Sequence, residues 1–395
     1  MRLAFVVQRY GTEVGGGAET HCRWLAERLA GRHEVEVFAT RALGYIDWAD
    51  SYPAGTSSVA GIPVHRYGVS RPRSGKRFAS ISRAVFDGPH TREEEEAWVR
   101  ANGPESPALL GAIADARDRF DLFFFYCYRY YQSYFGLPLV RDRAVLVPTA
   151  EEDEAIRLAA FQELLRMPRG ILYLTHEERA LVEEASGNSA VRNAVIGSGL
   201  SLPAGQEGLD FRASHGLRSP FLLYLGRIDR NKGCGSLFAY FQRFLQETGA
   251  DVDLVLAGAA VLPIPDHPRI LHVGFLSEEE KVAALQAAHV LVMPSPYESL
   301  SMVLLEAWRA AKPVLVNGRC RVLTEQCLRS GGGLFYDGYA EFREAARLLL
   351  DLPDLREALG RQGKEYVDRE HSWDRVDAVM SEFLEGVAPG AAPRA

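Results

Sequence analysis

Short apolar runs alternate with amphipathic stretches along most of the chain. In the first part, Leu3 to Val7 predicts a strand, helical spacing of apolar residues predicts a helix over about 18–30, and a second strand follows at about 34–39. A second alternating series begins at Phe221. It predicts strands at 221–225, 253–257, 269–273, 289–293 and 314–316, and helices at about 236–246, 301–311 and 373–386. This alternation is typical of parallel α/β sheets.

The length of 395 residues favours two domains, because a single core rarely grows that large. The two alternating series predict a first domain at 1–202 and a second at 219–372. Residues 203–218, rich in glycine and without periodicity, are the predicted linker, and a final helix with its tail occupies 373–395.

Composition restricts the classes of partner. A formal net charge of −7 argues against a nucleic-acid partner, which needs a basic face. No run of about eighteen apolar residues occurs, so at most peripheral membrane contact is expected. Five cysteines without a Cys-x-x-Cys pair favour a reducing compartment, and the predicted location is the cytoplasm.

The loop Gly226–Gly233 follows the predicted strand at 221–225 and carries candidate phosphate ligands. Arg227 can donate two parallel hydrogen bonds to a phosphate, and Lys232 adds a point charge. Ligands in open α/β sheets bind beyond the carboxyl ends of the strands, which is where this loop is expected. The alternative is a basic turn that only faces water.

Two carboxylates, Glu298 and Glu306, flank the start of a predicted helix. Their spacing alone is uninformative, since it recurs at Glu19/Glu27 and Glu357/Glu365. Only Glu298, however, lies between a buried strand and a helix. About 12 Å of helix would separate the pair, which suits one bridging ligand better than a glycosidase pair about 5–9.5 Å apart. The alternative is an ordinary helix start with a surface glutamate.

A glycine-rich loop, 8–17, ends in three consecutive glycines before the first predicted helix. Gly16 and Gly17 would let the backbone approach a phosphate at a helix N-terminus. The pattern is not the dinucleotide fingerprint Gly-x-Gly-x-x-Gly. The alternative is a flexible loop that needs glycine only for its turns.

Together these segments resemble the family-4 glycosyltransferases of the GT-B fold. The resemblance rests on the glycine-rich loop, on Gly226-Arg-x-x-x-x-Lys-Gly233, on Glu298-Ser-Leu-Ser-x-x-x-x-Glu306 and on the late helix after Ser-Trp. It implies two Rossmann-like domains with a cleft between them and a C-terminal helix that crosses back.

The same resemblance implies a retaining transferase that moves a sugar from a nucleotide-diphosphate sugar to an acceptor hydroxyl of a glycan, lipid-linked saccharide or small molecule. Arg227 and Lys232 would hold the diphosphate, Glu306 the ribose, and Glu298 the donor sugar. Neither a metal nor a cofactor beyond the donor substrate is expected. The implied donor-binding residues are Gly16, Gly17, Gly226, Ser299, Leu300, Ser301, Met302 and Glu306, and the implied catalytic residues are Glu298, Arg227 and Lys232.

One position departs from the family pattern. Relatives commonly place a histidine after a mid-sheet strand of the first domain, where it touches the donor. Glu151 stands at the corresponding place here, and His176 lies too far along the chain to replace it. A carboxylate would repel a departing diphosphate unless it is protonated.

Acceptor contacts are predicted from aromatic residues. Tyr128 and Tyr130 follow a buried strand near 122–126, and with Glu151 they are the candidate acceptor residues. Packing in the core is the alternative for the two tyrosines. The basic stretch 66–83 is either a solvated loop or a surface for an anionic or lipid-linked acceptor.

One acidic motif is not predicted to bind a metal. Asp251-Val-Asp253 resembles a metal motif, but it precedes a predicted strand and so lies at the wrong end of the sheet.

A nucleotide-sugar epimerase would form product without an acceptor, and a non-catalytic binding protein would never release nucleotide. Both remain alternatives to a transferase.

Overall fold

The computed structural model describes residues 1–200 and 210–388 and divides into two compact units. Unit 1 comprises Met1–Ile196 and the residues from Ala378 on, and unit 2 comprises Gly197–Asp377. Residues 203–209 of the predicted linker lie outside the described residues, as does the tail from 389. The predicted domain limits stay a prediction.

Unit 1 is built on one eight-stranded sheet. The strand order is β3-β4-β2-β1-β5-β6-β7-β8, and every neighbouring pair is parallel except β3 and β4. Its strands are β1 Arg2–Val7, β2 Glu34–Thr40, β3 Gly55–Val59, β4 Ile62–Tyr67, β5 Leu122–Tyr126, β6 Ala144–Val147, β7 Gly170–Tyr173 and β8 Arg192–Val195. Its helices are α1 Gly17–Ala30, α2 Gly75–Phe86, α3 Arg92–Asn102, α4 Pro107–Asp115, α5 Tyr131–Gly136, α6 Ala159–Leu164 and α7 His176–Ser186, with 3₁₀ turns at Leu137–Arg143 and Glu154–Arg157.

Unit 2 is built on a six-stranded, wholly parallel sheet in the order β11-β10-β9-β12-β13-β14. Its strands are β9 Phe221–Leu225, β10 Asp253–Ala257, β11 Ile270–Gly274, β12 Val290–Met293, β13 Val314–Asn317 and β14 Gly333–Tyr336. Its helices are α8 Phe211–Ser214, α9 Cys234–Thr248, α10 Glu278–Ala287, α11 Met302–Arg309, α12 Arg321–Ser330, α13 Tyr339–Asp351 and α14 Pro353–Glu370. The last helix, α15 Trp373–Val387, begins in unit 2 and continues in unit 1.

The apolar runs of the sequence form the centres of both sheets. Every residue of β5, β9, β10 and β12 is buried, as expected for parallel strands covered on both faces. Helices pack on these strands through one apolar face each; α15, for example, places Phe383 against Gly170 in unit 1. The predicted α/β class, its two Rossmann-like sheets and the final helix are confirmed.

Each sheet has a switch point where the strand order reverses. In unit 2 the chain winds outward from β9 on one side and from β12 on the other, and these two strands are neighbours. In unit 1 the corresponding neighbours are β1 and β5. Loops that follow such a strand pair open away from each other and leave a crevice, which is where ligands of this architecture bind.

Within residues 1–200 and 210–388, no helix combines the length and apolar character needed to cross a membrane.

Candidate functional site

The switch point of unit 2 brings together the two loops singled out in the sequence. Gly226–Gly233 follows β9, and residues 294–301 follow β12. Because β9 and β12 are parallel and paired, both loops emerge at the same edge of the sheet. We call this edge, with the start of α11, the unit 2 site.

Asp229 organises the first loop of the unit 2 site. Its carboxylate accepts a hydrogen bond from Arg227 Nε and another from the Lys232 backbone N–H at 2.8 Å. The Tyr224 hydroxyl donates to the Arg227 carbonyl at 2.7 Å. These contacts fix the backbone between the two predicted phosphate ligands, and the sequence analysis did not assign Asp229 a role.

Gly233 allows the first loop to touch the second. It has φ 74°, and a Cβ there would lie 2.1 Å from the Pro294 carbonyl oxygen. Any larger residue would therefore push the two loops apart. The close approach places Lys232 within reach of the residues after β12.

Lys232 and Glu298 form an ion pair in the unit 2 site. Lys232 Nζ lies 2.8 Å from Glu298 Oε1, and the Glu298 side chain is 12% exposed. The residue predicted to bind phosphate, Lys232, and the residue predicted to bind the donor sugar, Glu298, are thus in direct contact, and each holds the other in place. An ammonium group has three donors, so Lys232 can serve Glu298 and a phosphate oxygen together.

Glu306 is held from the neighbouring helix α10. Lys281 Nζ lies 2.7 Å from Glu306 Oε1, and the Glu306 side chain is only 4% exposed. Glu306 Oε2 is buried and makes no hydrogen bond within the described part of the chain. Burial raises the pKa of the Glu306 carboxyl, and the nearby charge of Lys281 opposes that rise. One carboxylate oxygen is therefore anchored, while the other has no hydrogen-bond partner among the described residues.

The start of α11 is strained. Ser301 has φ 68°, a conformation that costs a non-glycine residue about 1–3 kcal/mol. Its hydroxyl is buried and, within residues 1–200 and 210–388, has no hydrogen-bond partner. Leu300, just before it, is buried with its carbonyl accepting from Gln326 Nε2 at 2.8 Å. Strain and an unpaired buried hydroxyl at a helix N-terminus are features of ligand sites.

Gly226, Ser299 and Met302 also lie where the sequence analysis placed them. Gly226 has φ 141° at the end of β9, and a Cβ there would lie 3.3 Å from the Tyr224 hydroxyl. Ser299 and Met302 are half-buried on either side of the strained turn. The structure thus gathers every predicted residue of the second domain at one edge of the unit 2 sheet, and their roles stay predictions.

In unit 1, the glycine-rich loop rests on a buried ion pair that the sequence analysis missed. Arg9 Nη2 lies 2.5 Å from Glu19 Oε1, and the two side chains are 6% and 7% exposed. Arg9 also donates to the Gly15 carbonyl at 3.0 Å. Gly16 and Gly17 are exposed at the start of α1. The phosphate contact that the resemblance implies for these glycines stays a prediction.

Gly16→Ala is expected to destabilise the protein by about 1–3 kcal/mol. Gly16 has φ 148°, and a Cβ there would lie 2.3 Å from Glu19 Oε2 and 3.2 Å from Arg9 Nη2. Gly15→Ala is the matched control, because nothing lies within 4 Å of a Cβ at Gly15. The free energy of unfolding in urea measures both, and equal values for the two variants would contradict the strain assigned to Gly16.

Glu151 has a cationic neighbour. Arg129 Nη2 lies 3.7 Å from Glu151 Oε2 and 2.6 Å from Asp153 Oδ2. Glu178, fully buried on α7, accepts a hydrogen bond from the adjacent Ala150 N–H at 2.6 Å, and burial raises its pKa to about 8. The loop that departs from the family pattern is thus anchored by Glu178, and the charge of Glu151 is partly offset by Arg129.

The two candidate acceptor tyrosines pack inside unit 1. Tyr128 is completely buried, with its ring edge-on to Phe161 at 4.9 Å between centroids. Tyr130 is buried against Trp48 at 5.5 Å. Their burial favours the core-packing alternative, because neither ring offers an open face to a sugar. The sequence could not separate the alternatives, since both predict an aromatic residue after a buried strand.

Asp251 and Asp253 both form ion pairs with Arg269. Arg269 Nη2 lies 2.5 Å from Asp251 Oδ1, and Arg269 Nη1 lies 3.1 Å from Asp253 Oδ1. Across the described residues, no group of three or more His, Cys, Asp or Glu side chains could hold a metal ion.

The second part of the chain is similar to a known family of proteins. Residues 209–366 match the family model "Glycosyl transferases group 1". Over 200 residues the chain is 31% identical to an alpha-maltose-1-phosphate synthase of Mycolicibacterium smegmatis, covering 44% of this chain and 49% of that protein. The chain therefore spans about half the length of that relative.

Two further comparisons extend over nearly the whole chain. An uncharacterised glycosyltransferase of Methanocaldococcus jannaschii is 23% identical over 411 residues, covering 95% of this chain and 96% of that protein. The structure of sucrose-phosphate synthase from Thermosynechococcus elongatus superposes with a TM-score of 0.74 at 18% identity, covering 98% of each chain. The GT-B fold predicted from the sequence is confirmed.

Proposed function

From the match of residues 209–366 to the group 1 glycosyltransferase family, we propose that the protein is a retaining glycosyltransferase. It would move a sugar from a nucleotide-diphosphate sugar to a hydroxyl of a glycan, a lipid-linked saccharide or a small molecule. The observation that carries the proposal is Glu306, a buried carboxylate with one oxygen held by Lys281 and the other without a hydrogen bond in the described structure. It lies at the switch-point edge that also carries Arg227 and Lys232.

Each part of the donor has a matching group in the unit 2 site. Arg227 and Lys232 bind the diphosphate, and Asp229 holds the Arg227 side chain and the Lys232 backbone in place. Glu306 Oε2 accepts a hydrogen bond from a ribose hydroxyl. Glu298, oriented by Lys232, accepts hydrogen bonds from hydroxyls of the donor sugar near its reacting carbon. The contacts of these side chains and the family resemblance of the two loops support these roles.

The chemical step separates charge, and the cations stabilise it. As the bond between the anomeric carbon and the phosphate oxygen breaks, negative charge grows on the diphosphate, where Arg227 and Lys232 meet it. The acceptor oxygen bonds to the anomeric carbon from the same face, and its proton passes to the departing phosphate oxygen. Preorganised donors of this kind typically contribute about 10²–10³ in rate each.

The direct test combines the protein with UDP-, GDP- and ADP-glucose and a sugar acceptor, and follows the product by NMR. A new glycosidic bond with the donor's anomeric configuration supports the proposal, and inversion contradicts it. Conversion of the donor sugar without acceptor favours the epimerase alternative. Donor binding without nucleotide release, with every acceptor offered, favours the non-catalytic alternative.

Chelation of divalent cations with EDTA is expected to leave turnover unchanged. The reason is that Arg227 and Lys232 are proposed to meet the charge of the leaving diphosphate, and the acidic pair Asp251 and Asp253 is already held by Arg269. Turnover measured before and after EDTA, and after added Mg²⁺, checks this. A loss that Mg²⁺ restores would assign that charge to a metal ion.

Donor binding is expected to weaken at low pH through Glu306. Its ionised form accepts the ribose hydroxyl, and burial raises its pKa above the usual range, so protonation begins at a higher pH than for a free glutamate. A raised carboxyl pKa favours the folded protein as pH falls, so the protonation of Glu306 does not itself promote unfolding. The association constant should fall by up to about tenfold per pH unit below that pKa.

Glu306→Gln is the control, since an amide does not titrate. Both phosphates of a nucleotide sugar are diesters and keep their charge in this range, so they add no slope of their own. Calorimetric titrations at a series of pH values measure the association constant, and an equal slope in the variant would contradict the role of Glu306.

We also propose a cytoplasmic location. All five cysteines are buried and none is in a disulfide, which supports a reducing compartment.

A further inference from the structure

A second polar site lies in unit 1, beside the glycine-rich loop. It is a groove of about 430 Å³, a size typical of small-molecule pockets. Thr12 and Glu13 of the loop after β1 form one wall, residues 52–60 along β3 form the other, and Arg66 of β4 lies between them. β4 ends and β3 begins at the same edge of the sheet, so Glu13, Tyr52 and Arg66 lie at the carboxyl edge, where ligands of α/β sheets bind, and the groove runs from there along β3.

Arg66 is the buried charge of this groove. It is only 5% exposed, and its guanidinium carbon lies 3.7 Å from the centroid of the Tyr52 ring. Nε donates to Ser57 Oγ at a long 3.4 Å. Nη1 is buried and makes no hydrogen bond within residues 1–200 and 210–388. A buried donor without a partner is costly, so its presence beside a groove indicates a ligand.

Glu13 supplies the opposite charge. Its pKa is lowered, first by a hydrogen bond from its own backbone N–H and also by the charge of Arg66, so it is ionised at neutral pH. The groove therefore holds one cation and one anion. An anionic ligand that approached Arg66 would meet the carboxylate of Glu13, and a cationic one would meet the guanidinium.

The rest of the lining donates and accepts hydrogen bonds without charge. Hydroxyl groups of exposed residues cover the walls, namely Thr12, Thr56, Ser57 and Ser58. Charged and hydroxyl side chains around a partly exposed aromatic ring can bind many ligand hydroxyls at once. This chemistry fits an uncharged, polyhydroxylated molecule.

We propose that this groove is the acceptor subsite and takes an uncharged sugar. The inference rests on the proposed function, because a transferase needs an acceptor and the groove adjoins the loop that carries Gly16. Glu13 accepts a hydrogen bond from one sugar hydroxyl, and Arg66 donates to another. Acceptors that carry a phosphate are disfavoured by Glu13, whereas neutral saccharides, free or at the end of a glycan, are favoured.

The test measures binding of glucose, maltose and glucose 6-phosphate to the full chain by ligand-observed NMR. Wild type is expected to bind maltose more tightly than glucose 6-phosphate. Glu13→Gln should weaken maltose binding about tenfold, the scale of one hydrogen bond to a charged group. Glu34→Gln is the matched control, since Glu34 is exposed at the start of β2, outside the groove.

Arg66→Gln removes a buried charge and can destabilise the edge of the sheet. Glu13→Gln and Ser58→Ala change exposed side chains only, so these two variants guard against misfolding. Unchanged maltose binding in Glu13→Gln, tighter binding of glucose 6-phosphate, or binding of no uncharged sugar would each overturn the inference.

Donor binding, measured on the same variants, separates this inference from the proposed function. UDP-, GDP- or ADP-glucose should bind wild type and Glu13→Gln equally, because Glu13 is not among the predicted donor residues and the charged ones, Arg227, Lys232, Glu298 and Glu306, lie in unit 2. If no nucleotide sugar binds but maltose binding still depends on Glu13, the transferase proposal fails and the acceptor role falls with it. If the donor binds and maltose does not, only the groove assignment fails.

Discussion

Arg227→Ala and Lys232→Ala are each expected to lower donor turnover at least about a hundredfold. Both side chains are proposed to bind the diphosphate and to meet the charge that appears on it during the reaction, so their loss should reduce donor affinity as well as kcat. In the Lys232→Ala variant, Asp229 still fixes the loop through the backbone N–H of residue 232, which an alanine retains.

Arg230→Ala is the matched control for both variants. Arg230 lies in the same loop between Arg227 and Lys232, and it is exposed to solvent. Its removal changes the formal charge of the loop as much as the other two variants do. Turnover close to wild type in Arg227→Ala or Lys232→Ala, or an equal loss in Arg230→Ala, would remove the diphosphate assignment.

The second large effect is expected from Lys281→Met, which should lower the free energy of unfolding by about 3 kcal/mol. Breaking a buried ion pair leaves the other charge unpaired, and Glu306 is 4% exposed. The value lies at the low end of the usual range because Lys281 is 18% exposed. The same variant should weaken donor binding, since the unpaired carboxyl becomes easier to protonate.

A double variant and a surface control isolate this pair. Lys281→Met with Glu306→Gln removes both charges and should recover most of the stability. Lys364→Met breaks an exposed i,i+4 pair with Asp368, for which a loss of about 0–1 kcal/mol is expected. Urea unfolding measures all three. A loss for Lys281→Met no larger than that for Lys364→Met would contradict the burial assigned to the pair.

The loops of the unit 2 site were predictable because their signals are local. β9 and β12 are continuous apolar runs, and the charged residues that follow each run stand at strand ends by sequence alone. Parallel α/β architecture then puts both loops at one edge. Arg227, Lys232, Glu298 and Glu306 could therefore be grouped without coordinates.

The partners of those residues were not predictable, because they depend on contacts between distant segments. Lys281 follows three glutamates near the start of α10 and looks like a surface residue, yet its side chain reaches Glu306 on α11. Arg9 and Glu19 pair under the glycine-rich loop in the same way. Local sequence gives charge and periodicity, but not which buried charge meets which.

The aromatic segment shows a different limit. Tyr128 follows a strand of five buried residues and lies at a strand end, where both a sugar contact and core packing are consistent with the pattern. Packing against Phe161 is decided by the position of α6, more than thirty residues away. Arg66, central to the groove in unit 1, likewise looked like one more charge in a basic stretch.

The edge formed by Gly226–Gly233 and the start of α11 is proposed to bind a nucleotide-diphosphate sugar. The most direct test of this proposal is the melting temperature of wild type, Arg227→Ala and Arg230→Ala with UDP, GDP, ADP and their sugar conjugates. A ligand at a hundred times its dissociation constant adds about 2.7 kcal/mol of stability. One nucleotide family should raise the melting temperature of wild type and Arg230→Ala, with a much smaller rise in Arg227→Ala. No rise with any nucleotide, or an equal rise in Arg227→Ala, would contradict the claim.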